Sequence, residues 1–313
     1  MNNTVISVKD LRKTYGKQIV LDGLNFDVTS GSIFALLGEN GAGKTTTVRI
    51  LSTLIQADSG TVNVGGFDTR RDAHSVKKII SLTGQFAAVD ELLTGEENLM
   101  MMGRLNHLDR QSVKRRTAEL LEQFELTDAA KKQAKTYSGG MRRRLDIAIS
   151  LLASPSVIFL DEPTTGLDPR SRRNMWNLIQ DLAKSGVTIF LTTQYLEEAD
   201  QLADKIAVID GGKMVVEGTA EELKRMIGEE RLEFTFSEDS EFQHAQTLLQ
   251  GQVNETDRSI SVIANSTENL RQLLNTLHEH NINPTSVTFR KPTLDDVFLD
   301  ITNRKRKELT ING

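Results

Sequence analysis

The chain has 313 residues, enough for one large domain with a small companion or for two moderate ones. Apolar residues make up 38% and charged residues 26%, and the net charge of −5 is a poor basis for nucleic-acid binding, which needs a concentrated basic surface. There is no cysteine, so disulfides, thiolate chemistry and Cys-ligated metal sites are excluded.

The opening stretch MNNTVISVKDLRKTYG holds no long apolar run, so no signal peptide is expected. Nowhere do about 20 apolar residues stand together, so no membrane-spanning helix is expected either. Val5, Ile6 and Val8 alternate as a strand. Asn25 to Val28 lead into the turn signal Thr29-Ser30-Gly31-Ser32, and residues 33–37 read as a buried strand. From Thr45 the period becomes helical, with Val48, Leu51, Leu54 and Ile55 on one side. Ser59-Gly60 then opens an expected edge strand over residues 61–64. Residues 96–153 read as helical, with Leu99, Met102, Leu105, Val113, Leu120, Leu121 and Phe124 at 3.6-residue spacing. Met100, Met101 and Met102 read as packing rather than as a cofactor site. Three buried strands follow at 157–160, 187–191 and 206–209, each preceded by a helical segment. That alternation predicts a mostly parallel, helix-covered sheet.

A boundary falls near residues 218–228, after which the pattern restarts. Strands are expected at 232–236, 259–263 and 286–289, and helices at 241–249, 268–280 and 295–301. The result is a small α+β domain. The basic run Arg304-Lys305-Arg306-Lys307 reads as a solvated terminus, with contact to acidic lipid headgroups as the alternative. His74, His107, His244, His278 and His280 form no HExxH pair and read as surface residues.

Gly38-Glu39-Asn40-Gly41-Ala42-Gly43-Lys44-Thr45 fits the phosphate-binding pattern GxxxxGK[ST], following a buried strand and opening an apolar-periodic helix. The glycines let the backbone wrap a phosphate with its N–H groups turned inward, and the helix N-terminus adds favourable potential. Lys44 would reach the β- and γ-phosphates, and Thr45 would hold Mg2+. At 157–162 an apolar strand ends in Asp161 and Glu162. Neighbouring strand residues point to opposite faces, so the two acids need not share one task. Asp161 would approach the magnesium through water, and Glu162 would orient or deprotonate the attacking water. Loop and acids together point to ATP or GTP.

Tyr137-Ser138-Gly139-Gly140-Met141-Arg142-Arg143-Arg144, shortly before Asp161, resembles the signature motif of ATP-binding-cassette (ABC) ATPases. Physically it is a second anion nest at a helix start. The resemblance implies that this nest meets the γ-phosphate held by an opposite subunit, so a head-to-tail homodimer sandwiching two ATP is expected. It also implies a nucleotide-contacting set of Tyr15, Gly38, Asn40, Gly41, Gly43, Lys44, Thr45, Thr46, Ser138, Gly139, Gly140 and Asp168, with Tyr15 stacking on adenine. Gln85 looks like the glutamine that contacts Mg2+ or the attacking water, which gives Thr45, Gln85 and Asp161 as the metal set. Glu162, Gln85, Gln194 and Lys44 form the implied catalytic set. Gly166-Leu167-Asp168-Pro169 resembles the loop that senses the opposite site, and Asp168 also suits an N-cap with Pro169 at the first helical position.

One position departs from the family pattern: Gln194 stands where most members place a histidine that contacts the γ-phosphate. Glutamine donates a hydrogen bond but carries no charge. With Gly84-Gln85-Phe86-Ala87-Ala88-Val89-Asp90, with Glu96, Asn98 and Leu99, and with Lys291-Pro292-Thr293-Leu294-Asp295-Asp296-Val297-Phe298, it resembles the daunorubicin/doxorubicin-resistance type of bacterial exporter ATPase. The fold this implies is α/β, a P-loop NTPase with an antiparallel β edge and a helical subdomain at about 86–153, spanning residues 1–225. An accessory α+β domain at 229–302 and a basic flexible tail at 303–313 follow. The implied partners are a separate transmembrane permease and a second copy of the chain, with no nucleic acid, at the cytoplasmic face of a bacterial membrane. The implied task is ATP hydrolysis powering export of a drug, antibiotic or other amphipathic compound. Cassette proteins of chromosome repair usually carry a coiled-coil or zinc insert, and those of translation carry two cassettes; this chain has neither. A slowly hydrolysing switch stays open through Gln194, although Glu162 argues against it.

Overall fold

The strands that read as unbroken apolar runs are buried along their whole length. All residues of β3 (Ile33–Leu37), β7 (Val157–Asp161) and β8 (Thr188–Thr193) are buried, as parallel strands covered on both faces require. The computed structural model describes residues 3–84, 89–226, 231–263 and 267–298, and the chain divides into two units, Met1–Ala220 and Glu221–Gly313.

In the first unit the elements run β1 (Thr4–Tyr15), β2 (Gln18–Thr29), β3, α1 (Lys44–Leu51), β4 (Ser59–Val64), β5 (Phe67–Asp68), α2 (Ala73–Ile79), β6 (Ile80–Thr83), α3 (Gly95–Leu105), α4 (Arg110–Gln123), α5 (Gly139–Ser150), β7, α6 (Pro169–Lys184), β8, α7 (Leu196–Leu202), β9 (Lys205–Asp210) and β10 (Lys213–Gly218). One sheet has the order β10-β9-β3-β8-β7-β6 and is parallel except for β10. The other, β2-β1-β4-β5, is antiparallel. Aromatic rings join them. Phe26 of β2 stacks on Phe34 of β3 at 5.3 Å, Phe34 on Phe190 of β8 at 5.4 Å, and Phe159 of β7 meets Phe190 edge-on at 5.7 Å. The C-terminal ends of β3, β7 and β8 therefore lie side by side, the usual place for a ligand crevice in such a sheet.

Several local expectations change. The stretch 96–153, read as helical, holds three α-helices. Asp109 caps α4 through the Gln111 and Ser112 N–H groups, and Thr94 with Glu97 forms a capping box on α3. Short 3₁₀ turns at Thr127–Ala129 and Ala134–Thr136 fill the gap before α5. Leu105, expected on the packed face, is exposed at the end of α3. Helix α1 stops at Leu51. Thr53 then takes a left-handed backbone, Leu54 is exposed, and Ile55 packs on the core from outside the helix. Strand β4 is not an edge: Gly65 and Gly66, both with positive φ, turn the chain back so that β5 covers it. Strands β2, β6 and β10 are longer than expected or unanticipated, because half-buried and antiparallel strands lack a continuous apolar run.

Helix α8 (Ala220–Arg225) lies at the unit boundary. The second unit runs β11 (Arg231–Thr235), α9 (Asp239–Leu248), β12 (Gln252–Asn254), β13 (Ser259–Ile263), α10 (Thr267–Glu279) and β14 (Ser286–Arg290), with the antiparallel order β12-β13-β11-β14. Leu232, Phe234, Ile260 and Val262 share one sheet face and pack with Phe242 and Ala245 of α9 and Leu277 of α10. Residues 294–298 are helical; the rest of the helix expected at 295–301 lies outside the described residues, as does the basic run at 304–307.

Candidate active site

The loop after β3 is held by close packing. A Cβ at Gly38 would stand 2.3 Å from the Ile209 carbonyl oxygen, so backbone meets backbone there and a side chain has no room. Gly43 has φ +110 and ends the loop as the N-cap of α1, with no side chain capping the helix. Lys44 follows. It is only 5% exposed, and its Nζ donates to the Gly38 carbonyl at 2.7 Å and the Glu39 carbonyl at 3.0 Å. Burial pushes its ammonium below the ordinary lysine value, and the nearby Glu162 carboxylate, 3.6 Å away, works against that shift. Thr45 donates its hydroxyl proton to Asp161 at 3.1 Å.

Asp161 closes β7 and is buried. Its carboxylate also accepts the Thr192 hydroxyl at 2.5 Å, across the parallel pair in which Asp161 stands opposite Thr192. Glu162 lies just past the strand with φ +49, a left-handed backbone that costs energy in a residue other than glycine. Its N–H donates to the Thr192 carbonyl and hydroxyl, both at 3.1 Å. The two acids diverge through this turn rather than through strand alternation. Asp161 meets Thr45, while Glu162 approaches Lys44 and accepts the Thr165 hydroxyl at 3.2 Å.

Next to Glu162 is a cavity of about 810 Å³, lined by Asn40, Glu162, Gln194 and Leu167 and, from α5, Gly139 and Arg143. Ser138 caps α5, its Oγ accepting from the Met141 N–H at 3.2 Å; Ser138 and Gly139 are exposed and Gly140 is buried. Asp168 caps α6, accepting the Arg170 and Ser171 N–H groups and the Ser171 hydroxyl at 2.6 Å. The Ser171 contacts hold its carboxyl below the usual aspartate value. Tyr15 ends β1, 46% exposed, with the Lys13 ammonium 5.5 Å from its ring, and does not line the cavity. Gly41 has positive φ, and Thr46 is half-buried in the first turn of α1. Gln85 lies outside the described residues.

The structure thus brings Lys44, Thr45, Asp161 and Glu162 into direct contact, with Asn40, Gln194 and Gly139 on the adjoining cavity. Ser138, Asp168 and Tyr15 do not line that cavity, although the Ser138–Gly140 turn packs against the start of α6, where a Cβ at Gly140 would stand 2.9 Å from the Ser171 hydroxyl. Sequence reading missed Thr192, which holds both acids in place. Its only signal was a pair of threonines closing an apolar strand. The half-buried Thr45 hydroxyl in contact with the buried Asp161 carboxylate suits Mg2+, a hard cation that takes oxygen ligands and completes its shell with water and phosphate oxygens.

Residues 21–165 match the family model of the ABC transporter, and residues 218–302 match that of the ATP-binding protein DrrA1-3-like, C-terminal domain. Over 311 residues the chain is 47% identical to the daunorubicin resistance ATP-binding protein DrrA3 of Streptomyces coeruleorubidus, covering 98% of both chains. It is 34% identical over 314 residues to the linearmycin resistance ATP-binding protein LnrL of Bacillus subtilis (strain 168), covering 97% of this chain and 100% of that one. Among solved structures, a dimeric post-hydrolysis state of an ATP-binding cassette bound to ADP and Pi matches with a TM-score of 0.61 at 25% identity, over 68% of this chain and 98% of that one.

Proposed function

We propose a cargo class, an assembly and a division of labour for this chain, which belongs to the ABC transporter family as an ATP-binding, ATP-hydrolysing subunit of the daunorubicin/doxorubicin-resistance type. The cargo is a drug, antibiotic or similar amphipathic compound moved out of a bacterial cell. Relatives named for daunorubicin and linearmycin resistance support that class. Among the described residues no helix is long and apolar enough to cross a membrane, so the cargo passes through a separate transmembrane permease. The chain works at the cytoplasmic face of that membrane. Residues 1–225 form the nucleotide-binding domain and 229–302 the accessory domain.

Two copies face head to tail and enclose two ATP. The dimeric cassette bound to ADP and Pi supports this arrangement. One observation carries the chemistry. At the ends of parallel strands, Lys44 stands 3.6 Å from Glu162 and Thr45 stands 3.1 Å from Asp161. Lys44 and the backbone from Gly38 to Thr46 bind the phosphates. Thr45, Asp161 and Gln85 hold Mg2+, which neutralises developing phosphate charge when bound. Glu162 takes the proton of the attacking water, Gln194 orients the reacting group, and Tyr15 supports the adenine. Ser138, Gly139, Gly140 and Asp168 meet the nucleotide of the second chain. A slowly hydrolysing switch is the second reading, favoured by Gln194 in place of a titratable side chain.

The test is Glu162→Gln in the purified chain. Phosphate release is expected to drop by at least about 100-fold, the usual contribution of a general base. MgATP should then hold the variant as a dimer on size exclusion. Wild-type phosphate release would remove Glu162 from the base role. Co-purification with a polytopic membrane protein encoded beside it supports the transport reading; its absence, with slow turnover of the wild type, supports the switch.

A further inference from the structure

None of the roles above uses Arg143, yet it makes more polar contacts behind the site than any catalytic side chain described. It lies in α5, one turn after Gly139, and its side chain is only 10% exposed. Its Nε donates to the Pro163 carbonyl at 3.0 Å. One terminal nitrogen donates to the Gly84 carbonyl at 2.7 Å, and the other to the Asp161 carbonyl at 3.2 Å. Asp146, itself buried, pairs with the first terminal nitrogen at 3.1 Å. Burial works against the guanidinium charge, and the carboxylates of Asp146, Asp161 and Glu198 offset it.

The three carbonyls belong to the residues on either side of Glu162 and to the residue before Gln85. Glu162 holds a left-handed backbone, and such strain persists only where the surroundings over-determine it. Thr192 holds the Glu162 N–H from one side. Arg143 holds the carbonyls of Asp161 and Pro163 from the other. Only a planar fork with donors on three nitrogens spans carbonyls from separate segments; a lysine ammonium is a point charge that cannot reach all three at once. The same helix begins with Ser138, Gly139 and Gly140.

We propose that Arg143 is a positioning residue for hydrolysis. It clamps the backbone on both sides of Glu162, and it links that backbone to the helix whose first turn faces the second chain's ATP. This rests on Glu162 being the base. Contact at Ser138 to Gly140 is then felt at the carboxylate of the same chain, and the phosphate-binding loop is left alone.

Steady-state ATP hydrolysis by the full chain tests this, with MgATP binding measured separately at equilibrium. Arg143→Lys should lower kcat by at least tenfold while the Kd for MgATP stays within threefold, and the Hill coefficient for MgATP should fall towards one. Asp146→Asn leaves all three carbonyl contacts in place and should keep most of the wild-type kcat. If the lysine variant does not fold, the double variant Arg143→Gln with Asp146→Asn removes the buried pair as a unit and should show the same split. Wild-type kcat in a folded Arg143 variant overturns the proposal. So does an equal loss in Asp146→Asn, or a parallel loss of kcat and MgATP affinity, because either points to general packing of α5. Glu162→Gln measured alongside separates the two readings. Wild-type turnover there overturns the base assignment and this inference with it. Lost turnover there, with Arg143→Lys unchanged, overturns this inference alone.

Discussion

Two helices of this protein start on glycine-bearing turns, and they are built differently. Helix α1 begins at Gly43, with no side-chain cap, and its first residue is the buried Lys44. Helix α5 begins at Ser138, which caps the helix with its own hydroxyl; Ser138 and Gly139 are exposed and Gly140 is buried. The charge around them differs too. Lys44 faces Glu162 and the Gly38 and Glu39 carbonyls. The arginines that follow Met141 are tied down within the chain: Arg142 to Glu91 at 2.8 Å, Arg143 to backbone carbonyls, and Arg144 to Glu125 at 2.9 Å. They are not a free cationic face waiting for phosphate. In the proposed function the first helix start is a half-site that brings its own cation, its own metal-side acid and its own base. The second offers a hydroxyl and backbone dipoles, and in the proposed head-to-tail dimer its ligand would arrive on the second chain.

The two helix starts differ most at Lys44. Lys44→Ala should lower the affinity of the isolated chain for MgATP at least tenfold, because a hydrogen bond to a charged group is worth about 1.5–3 kcal/mol. Equilibrium binding measures it, and unchanged affinity would deny the first half-site its cation. Ser138→Ala should leave that affinity unchanged. In a Glu162→Gln background it should weaken the ATP-held dimer severalfold on size exclusion, besides costing about 1 kcal/mol of stability as a lost cap. If Ser138→Ala instead impaired binding by the isolated chain, the two helix starts would not be complementary halves. The smallest effect is expected at Gln194, on the cavity between them. Gln194→His should raise turnover severalfold and make it depend on pH around 6.5, where an ordinary imidazole titrates. The wild type should stay flat over that window. An equally flat profile in the variant would show that charge at this position has no part in the reaction.

How much of this was legible beforehand depends on distance along the chain. The loop 38–45, the acidic strand end at 161–162 and the nest at 138–140 are each contiguous, so residue type and spacing reveal them. The same holds for Asp168 as an N-cap followed by Pro169. Strands β3, β7 and β8 were readable because full burial makes a run of apolar residues. The half-buried β6 and the antiparallel β10 were not, since polar residues in them are compatible with a turn or a loop. The stretch 96–153 was readable as helical from its apolar period, but that period does not show where it breaks. The breaks come from residues with left-handed backbone, His107 and Glu125, which local propensity does not announce.

By itself the sequence determined the chemical parts: a glycine loop with its lysine, two carboxylates closing an apolar strand, a second nest before a helix, and glutamine at 194. These are local patterns, and their geometry depends on neighbours a few residues away. Only the tertiary structure decided how the parts are held. Thr192 reaches Asp161 because the register of two parallel strands sets them opposite each other. Arg143 reaches Gly84, Asp161 and Pro163 because α5 packs against the ends of β6 and β7. Those contacts join residues far apart in the chain, and they are chosen by how strands and helices pack. No stretch of sequence carries that information alone.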